Sequence, residues 1–546
     1  MSWQNEALAF AAALLLAWEL VRNARQGKIA TVKLPHLALV PMVFTLIAAL
    51  QWAAGMLTFG GEVFVIYCYA LLCSLCVSIG YAQGITDKTE SDRSAATPLI
   101  EPLSWSLLLA AMASVFILLT QNFMIDGAAL WVTNTDNYSR PGSHLGQPNH
   151  AATLQVLGMA SAIFLQARGR FSNFTTAALL LLFGIGMAVT QSRTSILSLG
   201  ALLLWWTWKQ PQIAPRTPRW TAAAISALIV ALFMVWRHLF NSFHMMGSGG
   251  AQIRGLSDIR TEIWRQLIQA VWQKPWLGWG INQTASAHNT IADRYPSVGD
   301  ATYSHNLILD MALWVGLPLT ALLLLLTGMW VWRRARATKS LLPWYGLALA
   351  LPVAVHSMLE YPFAYAYFLV PAMLGLGLTE RALGERSLRL PLKAAAAILL
   401  ISTITMIWAA LEYIRAEEDF RVVRFETVRI GQTPVAYEPP KIVLLTHVGA
   451  LLKAFRLPIT QNMPTNDLSL LRAVASQNAI AAMNARYALA LALNGQRVEA
   501  ERQLAVIRAQ YGEQNYLASC LPMHEALSAQ KMDWNPDCSL QAQSAK

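Results

Sequence analysis

The stretch NLILDMALWVGLPLTALLLLLTGMWV, residues 306–331, decides the fold class of this chain. It holds one charged side chain, Asp310, in 26 positions. A helix of this length crosses the hydrocarbon core of a bilayer, which takes about 20 apolar residues. Eleven other segments are similarly apolar, at roughly residues 6–21, 35–53, 62–83, 104–120, 150–167, 174–190, 195–208, 220–239, 341–358, 362–379 and 394–413. We therefore predict a polytopic all-α membrane protein with about twelve transmembrane helices.

Composition supports this fold class. Of the 546 residues, 55% are hydrophobic and 13% are charged, whereas about 25% are charged in a typical soluble domain. So few charges would not cover the surface of a soluble protein of this length. A soluble enzyme, a disordered scaffold and a small disulfide-rich secreted protein are therefore disfavoured. No basic stretch precedes the first apolar segment, which we expect to be a span rather than a cleaved signal peptide.

The basic residues predict the orientation of the chain. The net charge is +11, and in a membrane protein such an excess belongs in cytoplasmic loops, so we expect no nucleic acid as a partner. Six alternate loops hold 19 Lys and Arg residues, whereas the short loops between them hold two, Arg140 and Arg193. The basic loops are 22–33, 84–103, 168–173, 209–219, 332–340 and 380–393. Both termini and a large loop at 240–305 are then expected outside.

The chain is expected to divide into a transmembrane domain at 1–413, which includes the loop 240–305, and a C-terminal helical domain at 414–546. Within the second domain, NARYALALALNGQRVEAERQLAVIRAQY at 484–511 has apolar residues at helical spacing on both sides of Gly495. This pattern is similar to a single tetratricopeptide-type hairpin. It fits either a small domain packed on itself or on the membrane, or a docking surface for a protein. If the domain lies outside the cytosol, a disulfide between Cys520 and Cys538 is plausible.

Polar side chains collect at the predicted outer ends of the spans, where ionisable groups are costly and by default indicate function. They lie in five stretches: SRPGSHLGQPNH at 139–150, TQSRTS at 190–195, RGLSDIRTEIWRQLIQAVWQKPWLGWG at 254–280, YSHNLILD at 303–310 and EY at 360–361. Each also has an ordinary interpretation, as a capped helix start, an Arg that reaches lipid headgroups, a solvated helix face or a polar helix end. Local sequence leaves both interpretations open.

The residue types in these stretches suit the chemistry of an anionic leaving group. The guanidinium groups of Arg193 and Arg265 present a fork of donors that matches phosphate. The imidazole of His305 is a candidate general base near neutral pH, and Asp310, one turn further on, is placed to orient a partner. The sequence has no zinc-ligand spacing, no P-loop and no dinucleotide fingerprint. We therefore expect no metal and no cofactor, with the energy supplied by the substrate or a gradient.

The order of these elements resembles the O-antigen ligase and polymerase superfamily. QSRTS at 191–195, KPWLGWG at 274–280 and SHNLILDMALWVGLP at 304–318 carry the resemblance. GQPNH at 146–150 looks like the GQPN box of bacterial protein O-oligosaccharyltransferases of the PglL type, which include pilin glycosyltransferases. The helical region after the last span also resembles that branch. The likeness covers about residues 100–540 and implies a GT-C-like membrane fold.

The resemblance also implies a reaction. Arg193, Arg265 and His305 fall where the family has two arginines and one histidine that are essential for transfer. The expected substrate-binding residues are Gln147, Asn149, His150, Asn306, Glu360 and Tyr361. The implied donor is a glycan on undecaprenyl diphosphate, and the implied acceptor is a Ser or Thr hydroxyl of a protein such as pilin. The expected location is the bacterial inner membrane, with the active site on the periplasmic face.

Two other functions compete with this one. A ligase that moves O-antigen to lipid A core, or a polymerase that extends the glycan, would use nearly the same chemistry with another acceptor. A transporter or flippase also fits twelve spans, but its charges would be expected near the midplane of the bilayer and its halves would be repeated. Here the polar residues collect at one face, and the C-terminal domain together with GQPNH favours a protein acceptor.

Overall fold

The structure is a computed structural model that describes residues 3–83, 99–123, 140–213, 219–242, 256–295, 299–428, 430–478 and 480–538. The described helices, in chain order, are α1 Trp3–Gln26, α2 Val40–Ala53, α3 Gly60–Gln83, α4 Ile100–Asn122, α5 Pro148–Ala167, α6 Asn173–Thr190, α7 Arg193–Ile213, α8 Arg219–Ser242, α9 Leu256–Gln273, α10 Thr284–Ile291, α11 Leu307–Ala337, α12 Leu341–Ser357, α13 Ala366–Ala382, α14 Leu392–Thr427, α15 Thr446–Arg456, α16 Thr465–Gln477, α17 Ala481–Leu493 and α18 Arg497–Ala529. Two strands are described, β1 Thr31–Pro35 and β2 Ser387–Pro391. The chain forms two compact units.

The described helices identify a multi-pass membrane protein. Nine of them are long and apolar enough to cross a bilayer, and α12 is a shorter apolar helix. The other two predicted segments, 195–208 and 362–379, are also mainly helical, within α7 and within Pro362–Ala364 plus α13. The polytopic helical fold is therefore confirmed, while the count of twelve spans stays a prediction. The predicted domain boundary at 413/414, which lies inside the continuous helix α14, also stays a prediction.

The first unit comprises Met1–Val43, Tyr69–Arg254 and Leu326–Thr403. Helix α5 is its centre, because nearly every side chain from Asn149 to Gln166 is buried. It packs against α4, α6, α7 and α12, and a helix that is buried all round needs such neighbours on every side. Close helix packing elsewhere in the unit uses small residues: a Cβ at Gly346 would lie 2.3 Å from the carbonyl oxygen of Gly375.

The structure contains a two-stranded antiparallel β-ribbon, which the all-α prediction did not include. Strand β1 pairs with β2, so that Val32 lies opposite Leu390 and Lys33 opposite Arg389. The strands come from two segments that the charge pattern predicts on the same side of the membrane, 22–33 and 380–393. Their pairing satisfies backbone groups that would otherwise be exposed between two spans. Sequence analysis missed the ribbon because its partners are about 350 residues apart.

The second unit comprises Phe44–Cys68, Gly255–Leu325 and Ile404–Lys546. Within it, helix α11 is interrupted at Gly316, which has φ 80° and ψ 168°. The freed backbone groups pair with the KPWLGWG segment: Trp279 N donates to Leu313 O at 2.6 Å, and Leu317 N donates to Pro275 O at 2.7 Å. A break inside an apolar helix is tolerated where neighbouring groups satisfy the backbone in this way. This pairing gives KPWLGWG a structural role.

The C-terminal part of the second unit is helical, as its periodicity predicted. Helices α17 and α18 form a hairpin that turns at Gly495, which has φ 75°. The sulfur atoms of Cys520 and Cys538 form a disulfide, with their Cα atoms 5.7 Å apart. Cys520 is buried against the apolar residues of this hairpin, so the disulfide ties residues 530–538 to its core. A structural disulfide is typical of a region that matures outside the cytosol.

The helix break predicts a site that does not tolerate a Cβ atom. A Cβ at Gly316 would lie 2.3 Å from the carbonyl oxygen of Trp276, and φ is positive there. We expect Gly316→Ala to destabilise the protein by about 2 kcal/mol or more, measured by chemical unfolding in detergent. The control is Gly328→Ala in the same helix, where nothing lies within 4 Å and Ala should stabilise by about 0.5–1 kcal/mol. Equal effects of the two changes would contradict the close packing at Gly316.

Cysteine labelling tests the disulfide directly. Cys68, Cys73 and Cys76 are free and buried, whereas Cys520 and Cys538 are bonded. We expect denatured, unreduced protein to take up three equivalents of maleimide, and five after reduction. Mass spectrometry counts the adducts, and Cys538→Ser should raise the unreduced count to four. Five adducts before reduction would show that the pair stays reduced in the cell.

Candidate active site

The GQPNH segment forms the start of the buried helix α5. Gly146 is in the left-handed region with φ 69°, which turns the chain just before the helix. Gln147 is extended and caps the helix, since its side-chain oxygen accepts a hydrogen bond from the backbone nitrogen of His150 at 2.7 Å. Pro148 occupies the first helical position, where its missing N–H is no loss. The five residues therefore form one rigid helix start.

Asn149 joins three of the stretches that the sequence singled out. Its side-chain nitrogen donates to Glu360 Oε1 at 3.0 Å, and its side-chain oxygen accepts from Ser192 Oγ at 2.7 Å. All three side chains are buried, with at most 5% of each residue exposed. A buried carboxylate at a span end is costly unless hydrogen bonds satisfy it. The GQPNH segment, the QSRTS segment and the EY pair at 360–361, all in the first unit, therefore meet at a single amide.

Arg193 follows this junction directly. Gln191 ends helix α6 in the left-handed region, with φ 50°, and its carbonyl oxygen accepts from Arg140 Nη1 at 2.9 Å. Ser192 is held by Asn149, and α7 begins at Arg193. The Arg193 side chain is exposed and has no hydrogen bond or ion pair with any residue the structure describes. An anchored backbone thus presents an open guanidinium at a helix N-terminus, where the dipole also favours anions.

His150 and Tyr361, two other predicted substrate residues of the first unit, lie among aromatic rings. The Nδ1 atom of His150 is 2.7 Å from the hydroxyl of Tyr367, and its ring centroid is 4.7 Å from that of Tyr365. Only 2% of His150 is exposed. Tyr361 is half-buried and stacks on Tyr365 at 6.0 Å. His150 is therefore enclosed by the aromatic cluster, with Tyr361 at its edge.

A second buried polar contact, which was not predicted from the sequence, lies one helical turn after Asn149 in α5. The hydroxyl of Thr153 lies 2.9 Å from Nδ1 of His356, and it also donates to the carbonyl oxygen of Asn149 at 3.0 Å. His356 is fully buried in α12. A histidine inside an apolar helix is itself a signal of function in a membrane protein, so the sequence did contain the information that would have identified His356.

In the second unit, His305 sits on a tight turn before α11. Its backbone is left-handed, with φ 59°, and its side chain is half-buried. Ser304 fixes the turn, because its carbonyl oxygen accepts from Trp264 Nε1 at 2.7 Å. Asn306 caps α11: its side-chain oxygen accepts from the backbone nitrogens of Ile308 and Leu309 at 3.0 and 3.2 Å. The turn therefore holds the imidazole at the end of the helix.

Asp310 is the anchor of that turn. Its Oδ1 atom accepts from the backbone nitrogen of Ser304 and from Oγ1 of Thr284, both at 2.9 Å. Trp314 Nε1 donates to the same Thr284 hydroxyl at 2.9 Å. Asp310 is fully buried, and its charge interacts with His305. The carboxylate thus shapes the backbone around His305.

Arg265 and His288 occupy contrasting positions in the second unit. The Arg265 side chain is 75% exposed and pairs with Glu262 at 2.9 Å, one turn earlier in α9. His288 is buried, with Nε2 2.9 Å from Gln266 Oε1 and Nδ1 3.3 Å from Gln510 Nε2. Burial lowers the pKa of His288 to about 4, so near neutral pH it is an uncharged packing residue.

Among the described residues, no group of three or more His, Cys, Asp or Glu side chains could hold a metal ion.

This is a multi-pass membrane protein with buried polar groups at the ends of its spans, and comparisons with known proteins indicate its class. The family model described as O-Antigen ligase matches residues 177–324, and that described as virulence factor membrane-bound polymerase, C-terminal, matches 344–523. A general O-oligosaccharyltransferase of Acinetobacter baylyi is 24% identical over 525 residues, which cover 93% of this chain and 88% of that relative. A ComP-specific O-oligosaccharyltransferase of the same organism is 27% identical over 281 residues, which cover 50% of each chain.

The resemblance predicted from the sequence is therefore confirmed. Two stretches of the chain are similar to O-antigen ligases and membrane-bound polymerases, and most of its length is similar to an O-oligosaccharyltransferase. It is a glycosyltransferase. Both family matches begin after the GQPNH box, and the O-Antigen ligase match includes Arg193, Arg265 and His305.

The Asn149 junction predicts a strong dependence on one amide. Asn149→Ala would deprive both Glu360 and Ser192 of a buried partner, so we expect a loss of about 2–4 kcal/mol in stability and a fall in glycan transfer. A double-mutant cycle with Glu360→Gln, measured by unfolding in detergent, should give a coupling of about 1 kcal/mol or more. The control is Asn173→Ala, an exposed residue bonded only to Gln166 among the described residues. If the effects of the Asn149 and Glu360 substitutions on the free energy of unfolding were additive, the contact between the two side chains would be contradicted.

Proposed function

We propose that this enzyme transfers a preassembled oligosaccharide en bloc from undecaprenyl diphosphate to Ser or Thr hydroxyls of proteins such as pilin. The reaction would take place on the periplasmic face of the bacterial inner membrane. The observation that carries the proposal is Arg193, an open guanidinium presented by the buried Asn149–Ser192–Glu360 junction at a span end. A polyprenyl carrier stays in the bilayer, so its diphosphate would reach the enzyme at that level.

The leaving group explains the arginines. As the bond between the anomeric carbon and the diphosphate oxygen breaks, negative charge grows on the departing oxygen. In a partly desolvated site, fixed guanidinium donors stabilise that charge far better than water does. We assign this role to Arg193 and, following the family, to Arg265, which would exchange its exposed partner Glu262 for the donor. The positive charge that the leaving group requires then comes from side chains, so the proposed reaction is metal-independent.

His305 would activate the acceptor. Its imidazole accepts the proton of the Ser or Thr hydroxyl while that oxygen forms a bond to the anomeric carbon, and the diphosphate departs with the electron pair of the broken bond. Asp310 positions the turn and would stabilise the imidazolium that forms. A single displacement of this kind inverts the anomeric carbon. Gln147, Asn149, His150, Asn306, Glu360 and Tyr361 would support donor and acceptor binding, mostly by holding the helix ends in place.

A ligase to lipid A core or a glycan polymerase is the second candidate, because the two matching family models are described as O-Antigen ligase and as virulence factor membrane-bound polymerase, C-terminal. A protein acceptor is favoured because both curated relatives are named O-oligosaccharyltransferases, one of them ComP-specific. The ligase and polymerase chemistries share the donor and the leaving group, so the acceptor alone separates these functions.

A transfer assay with purified protein tests the proposal. Undecaprenyl-diphosphate glycan and an unglycosylated pilin are mixed with the enzyme in EDTA, and the mass of the product is measured. We expect a glycan-sized mass gain on pilin. His305→Ala should lower the rate by about 10²–10⁴-fold through loss of the base, and Arg193→Ala by about 10²–10³-fold through loss of a transition-state donor. Arg193→Lys should restore only part of the rate, since Lys lacks the planar fork.

The matched control for His305→Ala is His288→Gln, which keeps hydrogen-bonding groups near Gln266 and Gln510 and should retain most of the transfer rate. If His288→Gln abolishes transfer while His305→Ala does not, the base is misassigned. Growth of the lipid-linked glycan or transfer to lipid A core, without transfer to pilin, would move the assignment to polymerase or ligase. Retention at the anomeric carbon would rule out the single displacement.

A further inference from the structure

A polar cavity of about 490 Å³ lies within the second unit, apart from the turn that holds His305. Its walls come from α10, α16, α17 and α18 and from the segments near Thr58 and Trp279. Ten of its seventeen lining side chains are uncharged amides or hydroxyls, and three are apolar. A site for a lipid chain or an amphipathic helix would be mainly apolar, so this cavity is built for a ligand rich in hydrogen-bonding groups.

The wall of the cavity is preorganised by a partly buried hydrogen-bond network. Gln283 and Gln477, both at the cavity, donate to the two carboxylate oxygens of Glu62 at 2.5 and 3.5 Å. The Gln283 oxygen accepts from Ser286 Oγ at 2.9 Å. Asn289 donates to the carbonyl oxygen of Ser476 at 3.0 Å, which links α10 to α16. Amides that are already oriented lose little side-chain entropy when a ligand binds.

Several polar groups at the cavity remain available to a ligand. The side chains of Arg472, Tyr487 and Glu499 make no hydrogen bond or ion pair within the described part of the chain. The guanidinium of Arg502, in contrast, is neutralised by Asp293 at 3.3 Å. The indole of Trp279 is half-buried, is fixed by a hydrogen bond from Nε1 to Ala270 O at 2.9 Å, and has Nζ of Lys274 over one face, 4.1 Å from the ring centroid. The cavity thus combines fixed amides, open hydroxyl and charged groups, and the aromatic rings of Trp279 and Tyr487.

An oligosaccharide matches this set of groups. Each sugar hydroxyl both donates and accepts, as do the amide and hydroxyl side chains that dominate the lining. A sugar ring also has an apolar C–H face that packs on an aromatic ring. An extended peptide would instead require apolar pockets for alternate side chains, and the cavity offers only Met56, Trp279 and Leu491 as apolar residues. A folded protein is too large for a cavity of about 490 Å³.

We propose that this cavity is an oligosaccharide-binding site that holds sugars of the glycan distant from the reacting bond. The identity of the glycan rests on the proposed function, whereas the binding itself does not require transfer. Binding energy from such remote sugars would add to the affinity for long glycans and hold the substrate in place. The helical region after the last span would then select the glycan as well as, or in place of, the acceptor protein.

The experiment measures binding without transfer. The probe is the water-soluble oligosaccharide released by mild acid from the lipid-linked pool of the cells that make the protein. It is titrated into the full-length protein in detergent, for wild type and His305→Ala. The test variant is Arg472→Ala/Tyr487→Phe, which removes two open groups at the cavity. The control is Arg421→Ala/Tyr295→Phe, which changes the same residue types at exposed positions of the second unit away from the cavity.

We expect saturable binding by wild type and by His305→Ala, at least about tenfold weaker binding by the cavity variant, and unchanged binding by the control. If the wild type binds the oligosaccharide but does not transfer glycan, the proposed function is wrong, whereas the proposed binding site stands. Transfer with no saturable binding, or equal binding by the cavity and control variants, would rule out the proposed binding site without affecting the proposed function. Displacement of the probe by an unglycosylated pilin peptide would overturn it in favour of an acceptor site.

Discussion

A polar group buried at the end of a membrane span has to find a partner within the protein, and the first unit depends on that constraint. Asn149 supplies partners for both the Glu360 carboxylate and the Ser192 hydroxyl. This amide therefore joins the start of α5, the junction of α6 and α7 and the segment after α12. The same bonds fix the backbone that presents Arg193, so the stability of the helix ends and the geometry of the proposed anion site have one physical origin.

The second unit meets the constraint through its backbone. Breaking α11 at Gly316 frees carbonyl and N–H groups in an apolar helix, and the segment 275–280 pairs with them. Gln51 completes the arrangement, because it donates to Trp314 O and accepts from Ile281 N, both at 2.8 Å. The two halves of α11 are thereby held at a fixed bend. The N-terminal half of α11 carries Asp310 and follows the turn of His305, so this bend supports the proposed base.

Sequence alone predicted what depends on local pattern. Long apolar runs specified the helices, because backbone groups in lipid must be satisfied within the segment, and Gly495 marked the hairpin. The motifs singled out Asn149, Ser192 and Glu360 but not their contact, because 211 residues separate Asn149 from Glu360. The ribbon, the His356–Thr153 contact and the brace at 275–280 also depend on pairing between distant residues. The disulfide was predicted only for a domain outside the cytosol, and the spacing of the two cysteines does not specify that location.

The pairing of β1 with β2 has a consequence for how the protein is made. The first strand ends at Pro35, whereas its partner ends at Pro391, so the ribbon can close only after nearly three quarters of the chain has left the ribosome. Until then, β1 exposes an unpaired edge beside the first two inserted helices. N-terminal segments of a growing chain fold first, so the N-terminal helix pair would be held in the bilayer incompletely docked. Closure of the ribbon is then a late step of biogenesis, one that follows synthesis of the segments that carry Arg193 and His305.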